Sequence, residues 1–169
     1  KLTRLTEGLD MINMSGEASG DVSGVCFSAD QCVPESLFVA IPGLKRDGHD
    51  FIEEAISRGA RFIVHEKVLT FPPFVRAIKV SDSRRALGIL AKNYFGDPSA
   101  ALTVIAVMGT NGKTTISYLL ESILKEAGCK CGVLGTVNYR YNDKVYDAPN
   151  TTPESYEMQK ILRALRVGL

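Results

Sequence analysis

The stretch Val107-Met108-Gly109-Thr110-Asn111-Gly112-Lys113-Thr114-Thr115 constrains this 169-residue chain more than any other. Before it, Leu102 to Met108 is almost uninterruptedly apolar, the pattern of a parallel strand covered on both faces. After it, a helix predicted from near Lys113 places Ile116, Leu119, Leu120, Ile123, Leu124 and Ala127 on one face and ends at Gly128. Strand, glycine loop and helix in this order bring a helix N-terminus to the mouth of the loop. Such an end offers unpaired N–H groups and about half a positive charge. Glycines let the backbone approach phosphate oxygens closely. The spacing is not the strict G-x-x-x-x-G-K-[ST], because Val107 stands five residues before Gly112, but G-K-T and its setting hold. The residues predict an ATP or GTP phosphate site. Lys113 supplies a mobile ammonium for the β- and γ-phosphates, and the Thr114 hydroxyl is a candidate Mg²⁺ ligand.

Upstream, short apolar runs alternate with turn residues. Leu37 to Ile41, closed by Pro42-Gly43, is the pattern of a buried strand. Residues 50–58 place Ile52, Ala55 and Ile56 on one helical face, with Gly59 as the cap. Arg61 to His65 and Val75 to Val80 are further strands, separated by a loop with Pro72 and Pro73. Asp82 or Ser83 can cap a helix carrying Leu87, Leu90, Ala91 and Tyr94 on one stripe. Gly96-Asp97-Pro98-Ser99 then marks a domain boundary.

Downstream of the glycine loop, Cys131 to Thr136 is predicted as the partner strand of Leu102 to Met108 in a βαβ unit. Residues 138–150 form a loop or hairpin around Asn142-Asp143. A last helix starts near Pro153, or at a capping box of Thr151 and Glu154, with Met158, Ile161, Leu162 and Leu165 as its apolar face. One βαβ unit cannot bury two sheet faces, so the second domain is expected to be cut off partway through.

Composition removes several classes. Charges nearly cancel, at +1 overall, which leaves no electrostatic footprint for nucleic acid. No apolar run approaches the roughly 20 residues needed to span a bilayer, and no secretory leader is apparent at the N-terminus. Cys26, Cys32, Cys129 and Cys131 match no zinc or thioredoxin spacing and are expected to be reduced thiols of a cytoplasmic protein. His65, at a strand end, is expected to be structural.

Three ordered blocks resemble the Mur ligases: Gly109 to Thr115, then Leu134-Gly135-Thr136, then Asn150-Thr151-Thr152-Pro153-Glu154-Ser155. Leu37 to Gly43, Asp47-Gly48-His49-Asp50-Phe51 and Arg58-Gly59-Ala60 resemble the N-terminal domain of those members that add the third residue of the peptidoglycan stem peptide. The resemblance covers roughly residues 20–168. It implies an α/β UDP-binding domain over 1–98, followed over 99–169 by the first βαβ portion of the family's P-loop ATPase domain. It also implies an ATP- and Mg²⁺-dependent ligase that joins an amino acid to UDP-N-acetylmuramoyl-L-Ala-D-Glu through an acyl phosphate, with small-molecule substrates and no nucleic-acid or membrane partner.

By the same resemblance Gly109, Thr110, Asn111, Gly112, Lys113, Thr114 and Thr115 hold the ATP phosphates, with Lys113 catalytic and Thr114 on the metal. Asn150, Thr151 and Thr152, with Ser28, Asp30, Gly43 and His49, hold the UDP-muramoyl-peptide. Where the family has Asp-Ser-Arg before its Leu-Phe-Val-Ala strand, this chain has Ser28-Ala29-Asp30. The glycine loop alone would also suit folylpolyglutamate or cyanophycin synthetases, or a non-catalytic nucleotide-binding module.

Overall fold

A computed structural model of the chain describes residues 1–16, 19–43, 45–141, 144–148 and 153–168. Two compact units divide it, Lys1–Gly96 and Asp97–Leu169.

The first unit is built on a five-stranded sheet. Its strands are β1 (Met11–Met14), β2 (Val25–Cys26), β3 (Leu37–Val39), β4 (Phe62–His65) and β5 (Arg76–Val80), in the order β1-β5-β4-β3-β2. β2 to β5 run parallel, and β1 closes one edge antiparallel to β5. Every residue of β3 and β4 is buried, as expected of parallel strands with both faces covered. Alternation then divides the side chains. Phe38, Ala40 and Ile63 pack with Ile52 and Ala55 of α2 (Ile52–Ser57) in one core. The opposite face receives α3 (Ser83–Phe95), which also packs on the short N-terminal α1 (Leu2–Leu5).

The cap of α3 is Asp82, whose Oδ1 accepts from the Arg85 N–H at 2.9 Å. Gly96 ends that helix in the left-handed region. Its predicted stripe is buried at Leu87, Leu90 and Ala91, and half-buried at Tyr94. All four cysteines are free thiols, and the Cys26 and Cys32 sulfurs lie 2.9 Å apart in the α2-side core.

The second unit holds α4 (Lys113–Glu126), α5 (Ser155–Gly168) and a three-stranded antiparallel sheet of β6 (Val133–Leu134), β7 (Asn138–Tyr141) and β8 (Lys144–Asp147). The hairpin expected around Asn142-Asp143 is β7–β8, although those two residues lie outside the described ones. Its small core gathers Tyr139, Ile161 and Leu165 with Leu102, Leu134 and Leu162.

Here the expected βαβ pairing is corrected. Leu102 to Met108 joins no ladder among the described residues, and Val104 and Ile105 are 62% and 57% exposed. β6, its expected parallel partner, instead pairs with β7 through Val133↔Arg140 and Leu134↔Tyr139. A three-residue connection, closed by the Gly135 N–H on Asn138 O at 3.3 Å, brings β7 back beside β6, and antiparallel neighbours need no crossover. This fills one edge of β6, and among the described residues no strand lies on its other edge. Ile116, Leu119 and Ile123, on the apolar face of α4, are exposed.

The buried residue of α4 is instead Glu121. Its Oε2 takes two hydrogen bonds from Arg140 of β7, at 2.8 and 2.6 Å, and its Oε1 takes Lys125 Nζ at 2.9 Å. Arg140 also lies 3.9 Å from the Tyr118 ring centre. The Arg140 guanidinium, and after it the Lys125 ammonium, hold the Glu121 carboxyl below its ordinary range.

A depressed carboxyl stabilises the fold above its unfolded pKa, about 4.3, and loses that contribution as pH falls through the folded value. Glu121→Gln is therefore expected to cost the second unit about 1.5–3 kcal/mol at pH 7, with the deficit shrinking below pH ~4. Urea unfolding followed by tyrosine fluorescence checks this. The chain has no Trp, and five of its six Tyr lie in this unit.

Candidate functional sites

Two sets of predicted site residues occupy the two units.

In the second unit Gly112 stands at the N-cap of α4 with φ +75, a conformation that disfavours any side chain. The first intrahelical bond runs from Ile116 N–H to Gly112 O, at 2.9 Å, and no side chain caps the helix. The first-turn N–H groups at Lys113, Thr114 and Thr115 thus lack intrahelical acceptors. Thr110, Asn111, Thr114 and Thr115 are exposed. Lys113 Nζ folds back over the loop and donates to Gly109 O at 2.7 Å and Thr110 O at 3.2 Å.

The arrangement has one mobile ammonium, an uncapped helix start and a free-facing hydroxyl on Thr114. It suits an anionic oxygen cluster. Among the described residues no three His, Cys, Asp or Glu side chains gather to hold a metal. Thr114 offers a single neutral oxygen. That fits a divalent cation arriving with a phosphate chain, and not one held by protein groups alone.

In the first unit the predicted residues collect at the carboxyl edge of the parallel sheet, where open α/β sheets place their ligands. Ser28 follows β2, and its hydroxyl donates to the Asp30 carboxylate; both residues are exposed. Gly43 follows β3 and its N–H donates to Arg46 O at 3.0 Å. The two ends of this loop meet at a Pro42–Asp47 bridge. Gly48 closes it, with its N–H on Ile41 O at 2.9 Å and no room for a Cβ, which would sit 2.6 Å from Ile41 N.

Asp47 is the hub. It accepts the His49 N–H at 2.9 Å, pairs with His49 Nδ1 at 2.6 Å and with Lys67 Nζ at 2.8 Å. The Lys67 ammonium first, then the His49 backbone and ring, hold its carboxyl well below the usual range. His49 Nε2 accepts the Glu66 N–H at 3.0 Å, and Glu66 Oε1 accepts both the N–H and the hydroxyl of Ser83 at 2.7 Å. His65 is structural in its contacts: it donates from Nδ1 to Lys67 O at 2.8 Å, and burial pushes its imidazole pKa down. Glu66, Lys67 and Ser83 were missed by sequence reasoning. A Glu-Lys pair just past a strand carries no motif. Asn150, Thr151 and Thr152 lie outside the described residues.

Comparison with known proteins decides the family. The family model described as "Mur ligase family, catalytic domain" matches residues 21–95, and that described as "Mur ligase middle domain" matches residues 107–168. The chain belongs to the Mur ligase family.

It is 39% identical over 165 residues to the UDP-N-acetylmuramoyl-L-alanyl-D-glutamate–2,6-diaminopimelate ligase of Geobacter sulfurreducens, covering 98% of this chain and 32% of that one. It is 39% identical over 163 residues to the ligase of the same name from Clostridium perfringens, covering 96% of this chain and 34% of that one. The chain thus spans about a third of the length of these Mur ligases. A solved structure bearing that ligase name superposes with a TM-score of 0.72 at 21% identity, over 96% of this chain and 33% of the other, a likeness of fold. The MurF ligase of Thermotoga maritima in complex with ADP gives a TM-score of 0.52 at 26% identity, over 82% of this chain and 28% of the other.

The geometry ranks the contributions of the Asp47 cluster. Asp47→Ala removes three contacts and leaves the His49 donors unpaired, while Lys67→Ala removes one exposed partner. Asp47→Ala is expected to lower the melting temperature of the first unit by several degrees, and Lys67→Ala by clearly less. Thermal unfolding monitored by circular dichroism checks the order.

Proposed function

We propose that this chain is the UDP-substrate- and ATP-binding portion of a ligase that adds the third amino acid, diaminopimelate in the relatives' names, to UDP-N-acetylmuramoyl-L-alanyl-D-glutamate. The observation that carries the reading is the glycine loop running into the uncapped start of α4, with the Lys113 ammonium poised on the loop's own carbonyls.

In this reading the substrate carboxylate attacks the γ-phosphorus of ATP, the bond to the ADP oxygen breaks, and an acyl phosphate forms. The incoming amine then attacks the acyl carbon, phosphate leaves, and the amine loses a proton. Such chemistry needs positioning and charge neutralisation more than covalent help. The backbone N–H groups at Lys113 to Thr115, with Gly109 to Gly112, cradle the phosphates. Lys113 exchanges the Gly109 and Thr110 carbonyls for phosphate oxygens and neutralises charge that grows on the transferring group. Mg²⁺, when bound with the nucleotide through the Thr114 hydroxyl, supplies further neutralisation. Asn150, Thr151 and Thr152 hold the muramoyl-peptide near the γ-phosphate. The carboxyl edge of the first unit, with Ser28, Asp30 and the loop of Gly43, holds the uridine diphosphate end. The activity belongs to the cytoplasm, where nucleotide-linked precursors and ATP occur together. Among the described residues no helix is long and apolar enough to cross a membrane.

Isothermal calorimetry on the 169-residue chain tests both halves of the reading. Uptake of UDP-N-acetylmuramoyl-L-alanyl-D-glutamate and of Mg-ADP is expected. Lys113→Ala is expected to weaken Mg-ADP by roughly 10–100-fold, the worth of a charge-assisted hydrogen bond. Failure to take up the UDP-muramoyl-peptide would leave a related ligase with another acceptor. Unchanged nucleotide affinity in Lys113→Ala would remove the role given to that ammonium.

A further inference from the structure

His49 stands among the residues that the family resemblance assigns to the substrate, yet its ring is already fully engaged. The side chain is 3% exposed. A backbone N–H can only donate, and the Glu66 N–H points at Nε2 from 3.0 Å. Nε2 therefore carries the lone pair, and the ring proton sits on Nδ1. From there it is donated to Asp47 Oδ1 at 2.6 Å. Both nitrogens are engaged within the protein.

What they join is informative. Asp47 ends the loop that begins at Pro42, beyond β3. Glu66 is the first residue beyond β4, and its carboxylate holds the first turn of α3 through Ser83. One imidazole thus ties the loop after β3 to the end of β4, in line with the α3 N-terminus. Lys67, one residue further, grips the other oxygen of Asp47 at 2.8 Å.

We propose that His49 is a positioning residue. Locked as the Nδ1–H tautomer between Asp47 and Glu66, it holds Asp47, the end of the loop that bridges back to Pro42, against the carboxyl edge, so that this loop end and not the imidazole meets the ligand. The proposal rests on the reading that this edge binds the uridine diphosphate end of the substrate.

The test uses the whole 169-residue chain and UDP as the probe. ¹⁵N NMR of the wild-type His49 ring is expected to show a protonated Nδ1 and an unprotonated Nε2, unchanged on adding UDP. Calorimetry is then run on His49→Ala, Asp47→Ala and the double variant. Each single change is expected to weaken UDP by ~10-fold, and the double by no more than the worse single, because both cut the same strut. His49→Gln, whose amide oxygen can still accept from Glu66, is expected to recover most of the affinity. A ring that protonates or shifts at Nε2 on UDP addition, or losses that add in the double variant, would mark His49 as a direct ligand and overturn the proposal. If wild-type chain takes up no UDP, the reading of the edge itself falls, and the positioning role falls with it. The ring spectrum is read on the unaltered protein, so a variant that fails to fold does not remove the test.

Discussion

The ladder between β3 and β4 is the constraint on which the first unit depends. Leu37, Phe38 and Val39 lie opposite Phe62, Ile63 and Val64, and all six are buried. A slip of β3 by one residue would turn Phe38 away from α2 and exchange the two faces of that strand. That register also decides where each strand stops. Because β3 and β4 end level with one another, Asp47 and Glu66 come within reach of the two nitrogens of one imidazole. The polar cluster at the carboxyl edge is thus a consequence of apolar packing several residues away.

The glycine loop obeys a different economy. It is held by a helix start and by its own lysine, with no buried ladder beneath it among the described residues. Lys113 rests on Gly109 and Thr110 carbonyls, neutral acceptors that a phosphate oxygen outcompetes by charge. On the proposed reading this internal contact is the one a bound phosphate would replace. Val104 and Ile105 before the loop, and Ile116, Leu119 and Ile123 of α4 after it, are exposed. Glu121 and Arg140 tie α4 to the hairpin instead, a link made of charge where the pattern foretold apolar contact.

Legibility in the sequence followed locality. β4, β5 and α3 were readable because each carries its own signal: an apolar run, or a stripe with an Asp82 cap beside it. β1 was not, since Met11 to Met14 is an edge strand with three exposed residues and no alternation to detect. β2 is only two residues long. The run from Leu102 to Met108 was legible as strand-like but not as paired, because pairing is a property of what lies beside it. Burial of Glu121 was invisible for the same reason: its partner Arg140 is nineteen residues away, and no helical pattern places it.

The candidate sites divide along the same line. G-T-N-G-K-T-T could be read as a phosphate loop because its chemistry is mostly backbone, and glycine spacing reports backbone directly. Asp47-Gly48-His49 could be read as a site but not as a mechanism. A histidine in a motif has two tautomers and three ways of bonding, and the choice is made by Glu66, seventeen residues on. One backbone N–H aimed at Nε2 is the observation on which the proposed positioning role of His49 rests. With a net charge of only +1, the chain as a whole offers little overall attraction for a uridine diphosphate or a triphosphate. On the proposed reading, recognition then rests on local groups and on where a few loops are held. On that reading an imidazole that fixes one of those loops acts on an anionic ligand through the loop's position, without touching the ligand.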